Sequence, residues 1–108
     1  MEAGAADCLY QGALAGDGSP RIVGGDLQTI MAGLACGEPN TIGWDILRNH
    51  ATVFISCPDW VSAKGMRMLA APVAGDPKVI SGESGAVGMG VIATLMGDPA
   101  YEELRSAL

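Results

Sequence analysis

The sequence predicts an α/β fold dominated by helices, with one strong buried strand at about 52–56 and a weak extended segment at about 78–80. Three observations predict it. Leu27, Ile30, Met31 and Leu34 recur at helical spacing. Thr52-Val53-Phe54-Ile55-Ser56 is apolar on both faces, the pattern of a buried parallel strand and not of an edge strand. Capping residues and prolines punctuate most of what remains.

The elements follow in order. Residues 5–15 fit a short helix, and Gly16-Asp17-Gly18-Ser19-Pro20 fits a loop. Gly24-Gly25-Asp26 is expected to open a helix capped by Asp26. Gly37 would end it, with Pro39 beyond. Thr41 is expected to cap a second helix through about Arg48, with Ile42, Ile46 and Leu47 inward. After the strand, Pro58 and Asp59 fit the first turn of a third helix. That helix would bury Val61, Gly65, Met68 and Leu69 and stop at Pro72. Gly75-Asp76-Pro77 reads as a turn. Ser84 is expected to cap a helix from Gly85 to Met96, ended by Gly97, and Asp98-Pro99 opens a last helix.

A chain of 108 residues makes one domain at most. Residues 1–108 are expected to form a single partial domain. The reason is physical: a strand apolar on both faces needs neighbours on both edges and layers on both faces, and this chain supplies too few strands. The sheet would be completed by another chain or by a larger protein.

Composition excludes several classes. The apolar share is 49% and the charged share 17%, a globular balance. The formal net charge is −6 and the six basic residues are scattered, so nucleic acid is not an expected partner. No apolar run is long enough for a bilayer, and Met1-Glu2-Ala3 does not begin a signal peptide. Three well-separated cysteines and a single histidine, His50, do not make a structural zinc site or a disulfide framework. No metal site is expected. Unpaired thiols fit a cytoplasmic protein.

Ser81-Gly82-Glu83-Ser84-Gly85-Ala86-Val87-Gly88-Met89-Gly90 is the richest segment for chemistry. Glycines at a helix start can cradle an anion; they can equally allow two helices to approach closely. Glu83 is a candidate for a carboxylate with a shifted pKa or a first-turn acid that suits the helix dipole. Ser56-Cys57 would lie at the carboxyl end of the strand, where α/β sheets bind ligands, though Cys57 also suits a small buried site. His50 has no nucleophile or carboxylate partner in sequence and suits a helix C-terminus.

The segments 8–11, 16–18, 25–40, 56–59, 63–67 and 81–88 together resemble the diaminopropionate ammonia-lyases. They include Cys8-Leu9-Tyr10-Gln11, the run from Gly25-Asp26-Leu27-Gln28 to Cys36-Gly37-Glu38-Pro39-Asn40, Ser56-Cys57-Pro58-Asp59 and Ser81-Gly82-Glu83-Ser84. More distantly the layout resembles threonine dehydratase and serine racemase, in the tryptophan-synthase-β-like (fold type II) class of pyridoxal-phosphate enzymes. Two departures stand out. Gln28 occupies the place of a metal-binding acid, and Met31 and Ala32 replace an Ala-Asp pair.

The resemblance implies a C-terminal portion of a fold type II domain and pyridoxal phosphate as cofactor. It implies elimination of ammonia from 2,3-diaminopropionate to give pyruvate and ammonia, with an amino-acid substrate. The family's Schiff-base lysine belongs to an N-terminal portion, and neither Lys64 nor Lys78 lies in a segment like it. No catalytic residue is therefore expected here. Ser56, Cys57, Glu83 and Ser84 are the expected cofactor-binding residues. The isolated chain would be inactive and would need its N-terminal half or a homo-oligomer. Two alternatives remain: a self-associating, non-catalytic interaction module, or an unrelated anion-binding domain.

Overall fold

A computed structural model describes residues 1–108, the whole sequence. It is mostly helical, 53%, with a small two-stranded parallel sheet. The chain divides into two compact units, Met1–Pro58 and Asp59–Leu108.

The first unit contains β1 (Glu2–Ala3), α1 (Cys8–Ala15), a 3-10 turn at Ala32–Leu34, α2 (Thr41–His50) and β2 (Ser56–Cys57). The strands run parallel, with Glu2 opposite Ser56 and Ala3 opposite Cys57. The Glu2 N–H donates to the Ile55 carbonyl at 2.9 Å, and the Gly4 N–H to the Cys57 carbonyl at 2.8 Å. The strand expected over 52–56 is thus parallel, but of that run only Ser56 enters the ladder, with Cys57 beyond it, and Thr52 and Val53 are exposed where burial on both faces was expected. A ladder lasts only as long as its partner does, and β1 is two residues long.

Helix α1 forms where a short helix was expected. Its start is held by Glu2, whose carboxylate accepts from the N–H groups of Leu9 at 3.0 Å and Tyr10 at 2.7 Å. A buried acid there satisfies amides that have no partner within the helix. Gly16 closes α1 at φ +70°, a left-handed conformation that glycine adopts without steric cost.

The helix expected from Asp26 does not form. Asp26 Oδ1 accepts from the Gln28 N–H at 3.1 Å, and Thr29 Oγ1 accepts from the Met31 N–H at 3.1 Å. The first is a bond that a helix cap also makes, but the second takes an amide that a helix from Asp26 would have used. Leu27 also sits at φ +51°, outside the right-handed helical region. Only the turn at Ala32–Leu34 is helical, although Met31 is fully buried as the periodicity required.

Helix α2 starts one residue earlier than expected: Asn40, not Thr41, is its cap, accepting from the Gly43 N–H at 2.9 Å. Its burial also differs. Ile42, Ile46 and Leu47 face outward, and Trp44 is the buried residue. Trp44 lies against Gly12, where a Cβ would stand 2.7 Å from its ring. Its Nε1 donates to the Gly18 carbonyl at 3.0 Å, fixing the loop after α1.

The second unit contains α3 (Asp59–Ala70), α4 (Glu83–Gly97), a 3-10 turn at Pro99–Tyr101 and α5 (Glu102–Ala107). Helices α3 and α4 form the extensive helix pair of the chain. Gly65 and Gly90 make it possible, since a Cβ on Gly65 would stand 2.8 Å from the Gly90 nitrogen. Val61, Ala86, Val87 and Val91 form the buried apolar seam. Met68 remains 39% exposed, so the inward face of α3 is narrower than its periodicity predicts.

The turn at 75–77 forms as expected, with Gly75 at φ +98°. Segment 78–80 joins no ladder; the Val79 N–H donates to the Leu69 carbonyl at 2.9 Å. Helix α4 follows Gly82, which caps it without a side chain. Ser84 is therefore inside the first turn and is not the cap. Asp98 caps the next turn as expected, accepting from the Ala100 N–H at 2.9 Å.

Candidate functional site

Ser56 and Cys57 end the extended segment in the first unit. The Ser56 hydroxyl donates to Asp7 Oδ2 at 2.7 Å. Asp7 is buried at 6% exposure and also accepts from Gln11 Nε2, at 3.3 and 3.2 Å. A buried carboxylate needs such donors. Asp7 further forms an isolated parallel bridge with Cys36. One residue thus ties α1, β2 and the run before α2. Sequence reasoning missed it; its one signal was an acid just ahead of a short helix.

Cys57 is 2% exposed. Burial pushes its thiol up from the ordinary value, with the chain's N-terminal ammonium acting in the opposite sense. A neutral, buried thiol is a poor nucleophile, and Cys57 packs as a small apolar residue of the core. Cys8 is pushed up to about 11 by burial first, then by the Glu2 carboxylate and by Cys36. Its thiol donates to the Cys36 carbonyl at 3.4 Å.

Glu83 and Ser84 belong to the second unit. Glu83 opens α4 with an exposed side chain, where a carboxylate suits the positive end of the helix. Its backbone carbonyl accepts the Ser62 hydroxyl from α3. Ser84 is half-buried, and its hydroxyl has no protein partner. The glycines of 82–90 differ in their surroundings: nothing lies within 4 Å of a Cβ at Gly82, and one at Gly85 would meet the Ser81 hydroxyl. Gly90 meets the Val61 carbonyl, and Gly65 of α3 meets that of Ala86, so close helix approach accounts for Gly90.

The two lysines are placed for other work. Lys64 on α3 is half-buried and donates to Thr94 Oγ1 at 3.3 Å. Lys78 is exposed on the loop before α4. No three His, Cys, Asp or Glu side chains are grouped to hold a metal ion. No helix is long and apolar enough to cross a membrane. His50 ends α2, and Trp60 is half exposed.

No family model matches the chain. Curated relatives do. The diaminopropionate ammonia-lyase of Escherichia coli (strain K12) is 56% identical over all 108 residues, which span 27% of its length. The crystal structure of the Escherichia coli enzyme in complex with an aminoacrylate-PLP azomethine reaction intermediate superposes with a TM-score of 0.83 at 52% identity. That match covers 98% of this chain and 26% of the solved one. The same enzyme in complex with D-serine gives a TM-score of 0.85 at 51% identity, over 98% of this chain and 25% of that one. The chain thus spans about a quarter of the length of the relatives it matches. In sequence and in fold, over its whole length, it corresponds to the C-terminal part of the diaminopropionate ammonia-lyases.

Proposed function

We propose that the chain acts as one part of a pyridoxal-phosphate-dependent lyase that eliminates ammonia from 2,3-diaminopropionate, giving pyruvate and ammonia. The observation that carries this is the 56% identity over the whole chain, joined to a solved relative that holds a PLP reaction intermediate. When bound, pyridoxal phosphate supplies the electron sink for loss of ammonia.

Ser56 and Cys57 from the first unit, and Glu83 and Ser84 from the second, are this chain's contacts to the cofactor in the assembled enzyme. Ser84 has an uncommitted hydroxyl to offer as a donor or acceptor. Cys57, buried beside Ser56, contributes through its backbone position and keeps the end of the strand dry and uncharged. Ser56 is held in one orientation by Asp7. Glu83 offers a carboxylate at the head of α4. None of these groups replaces a Schiff-base lysine, so residues 1–108 form a partial domain that works with a second polypeptide segment. That segment is the N-terminal remainder of the lyase; a homo-oligomer is the competing assembly. The unpaired thiols of Cys8, Cys36 and Cys57 suit the cytoplasm.

The test uses purified chain, pyridoxal phosphate, borohydride and intact mass, with ammonia and pyruvate assays on diaminopropionate. The chain alone should give no stoichiometric adduct and no product. Co-expression with the part of the Escherichia coli relative that precedes the match should restore both products. A specific adduct at Lys64 or Lys78 with ammonia released by the chain alone would overturn the reading.

A further inference from the structure

Helix α2 turns its apolar side to solvent. Ile42 is 73% exposed, Ile46 56% and Leu47 38%. Ile42 and Ile46 are one turn apart, so they share a face. The neighbouring charges are already paired: Arg48 Nη2 meets Asp45 Oδ1 at 2.6 Å. Helix α2 is held from its other side, by Trp44 against Gly12 of α1, the Phe54 ring and the Gly18 carbonyl, and by Arg48, whose Nη1 donates to the same carbonyl at 3.3 Å. The apolar spacing that called for inward residues is present, and the core it calls for is not supplied by this chain.

We infer that the Ile42–Ile46–Leu47 face docks on the N-terminal remainder of the lyase polypeptide. This rests on the function proposed above. Two observations favour that occupant over a second copy. The relatives are about four times as long as this chain, which spans 27% of them, and it keeps their fold. A partner three times its size thus accompanies the same helix there. Each copy of this chain carries a net charge of −6, and like-charged copies repel. Clustered aliphatic side chains on an otherwise neutral helix face are the expected centre of such a contact.

The experiment is co-expression of the tagged chain with the preceding part of the Escherichia coli relative, followed by purification on the tag. The readouts are the amount of partner recovered, product formation, and the sedimentation of the chain alone. Wild type should recover the partner in equal amounts. Ile42→Asp/Ile46→Asp should reduce recovery about tenfold or more, and Ile42→Ala/Ile46→Ala should reduce it less. Both positions are exposed, so far-ultraviolet circular dichroism of each variant should match wild type. Recovery that the Asp pair leaves unchanged overturns the inference, as does failure of wild type to recover the partner. Self-association of the chain abolished by the Asp pair overturns it in favour of a second copy. Recovery without product formation keeps the docking face and overturns the lyase reading. Product formation that survives the Asp pair at full partner recovery does the reverse.

Discussion

The hydroxyl of Ser56 meets the carboxylate of Asp7 at 2.7 Å, joining β2 to the start of α1 across a sequence separation of 49. Asp7 is buried, and Gln11 Nε2 is its other side-chain donor. Ser56→Ala would leave that carboxylate short of a charge-assisted bond. The expected cost is about 1–3 kcal/mol, read as a lower urea midpoint at unchanged m. A midpoint equal to wild type would show that water replaces the hydroxyl and that Asp7 holds nothing in place.

Gly90 is the residue that sets the spacing of α3 and α4. A Cβ there would stand 2.7 Å from the Val61 carbonyl carbon and nearer still to its oxygen. Backbone cannot swing aside as a flexible side chain does, so Gly90→Ala should lower stability by about 1–3 kcal/mol. Gly97 is the control, because nothing lies within 4 Å of a Cβ at that position. Gly97→Ala should be neutral or stabilising by up to about 1 kcal/mol. Thermal melts of the two variants separate the contributions; equal shifts would mean that the helices are free to spread.

Punctuation was more legible in this sequence than packing. Gly16, Pro72, Gly75 and Asp98 each act locally, and each does what its chemistry predicts. The run at 26–31 misled because its apolar period is real while its polar side chains serve turns. Asp26 and Thr29 bond amides two residues on, and local competition of that kind outweighs a hydrophobic stripe. The inward assignment of Ile42 and Ile46 failed for another reason. Periodicity reports an apolar face and not what covers it; on the docking inferred above, Ile42 and Ile46 are covered by the preceding segment of the lyase. For the candidate site, the position of Ser56 and Cys57 at the end of an extended segment was legible. Asp7 was not, because its partner Ser56 lies far away in sequence.

Cys8 should make stability fall at alkaline pH. Its thiol is raised from 9.0 to about 11, by burial first and then by the Glu2 carboxylate. The unfolded chain gives up this proton near 9.0 while the folded chain keeps it to about 11. Within that window the native state binds more protons, so unfolding free energy declines as pH rises. Below 9.0 the contribution is fully present. Urea midpoints at several alkaline pH values should fall more steeply for wild type than for Cys8→Ala, whose own stability is lower throughout. Parallel slopes would show that the thiol titrates in the fold as it does in the open chain.

Asn40 and Thr41 offer a test of which residue starts α2. Both are residue types suited to an N-cap, and sequence alone favoured Thr41. The side chain of Asn40 takes the Gly43 N–H at 2.9 Å, and its backbone has the extended conformation of a cap, φ −65° and ψ 126°. Thr41 is already the first residue of the helix, where its hydroxyl has no comparable amide to accept. Asn40→Ala should therefore cost about 1 kcal/mol. Thr41→Ala should be close to neutral, since alanine is the better helix former. Because α2 carries the outward Ile42 and Ile46 on its first two turns, fraying at Asn40 would also displace the start of that face. Asn40→Ala should then weaken recovery of the partner segment in proportion to its loss of stability, whereas Thr41→Ala should leave both unchanged. A Thr41→Ala variant that loses more stability than Asn40→Ala would reverse the assignment.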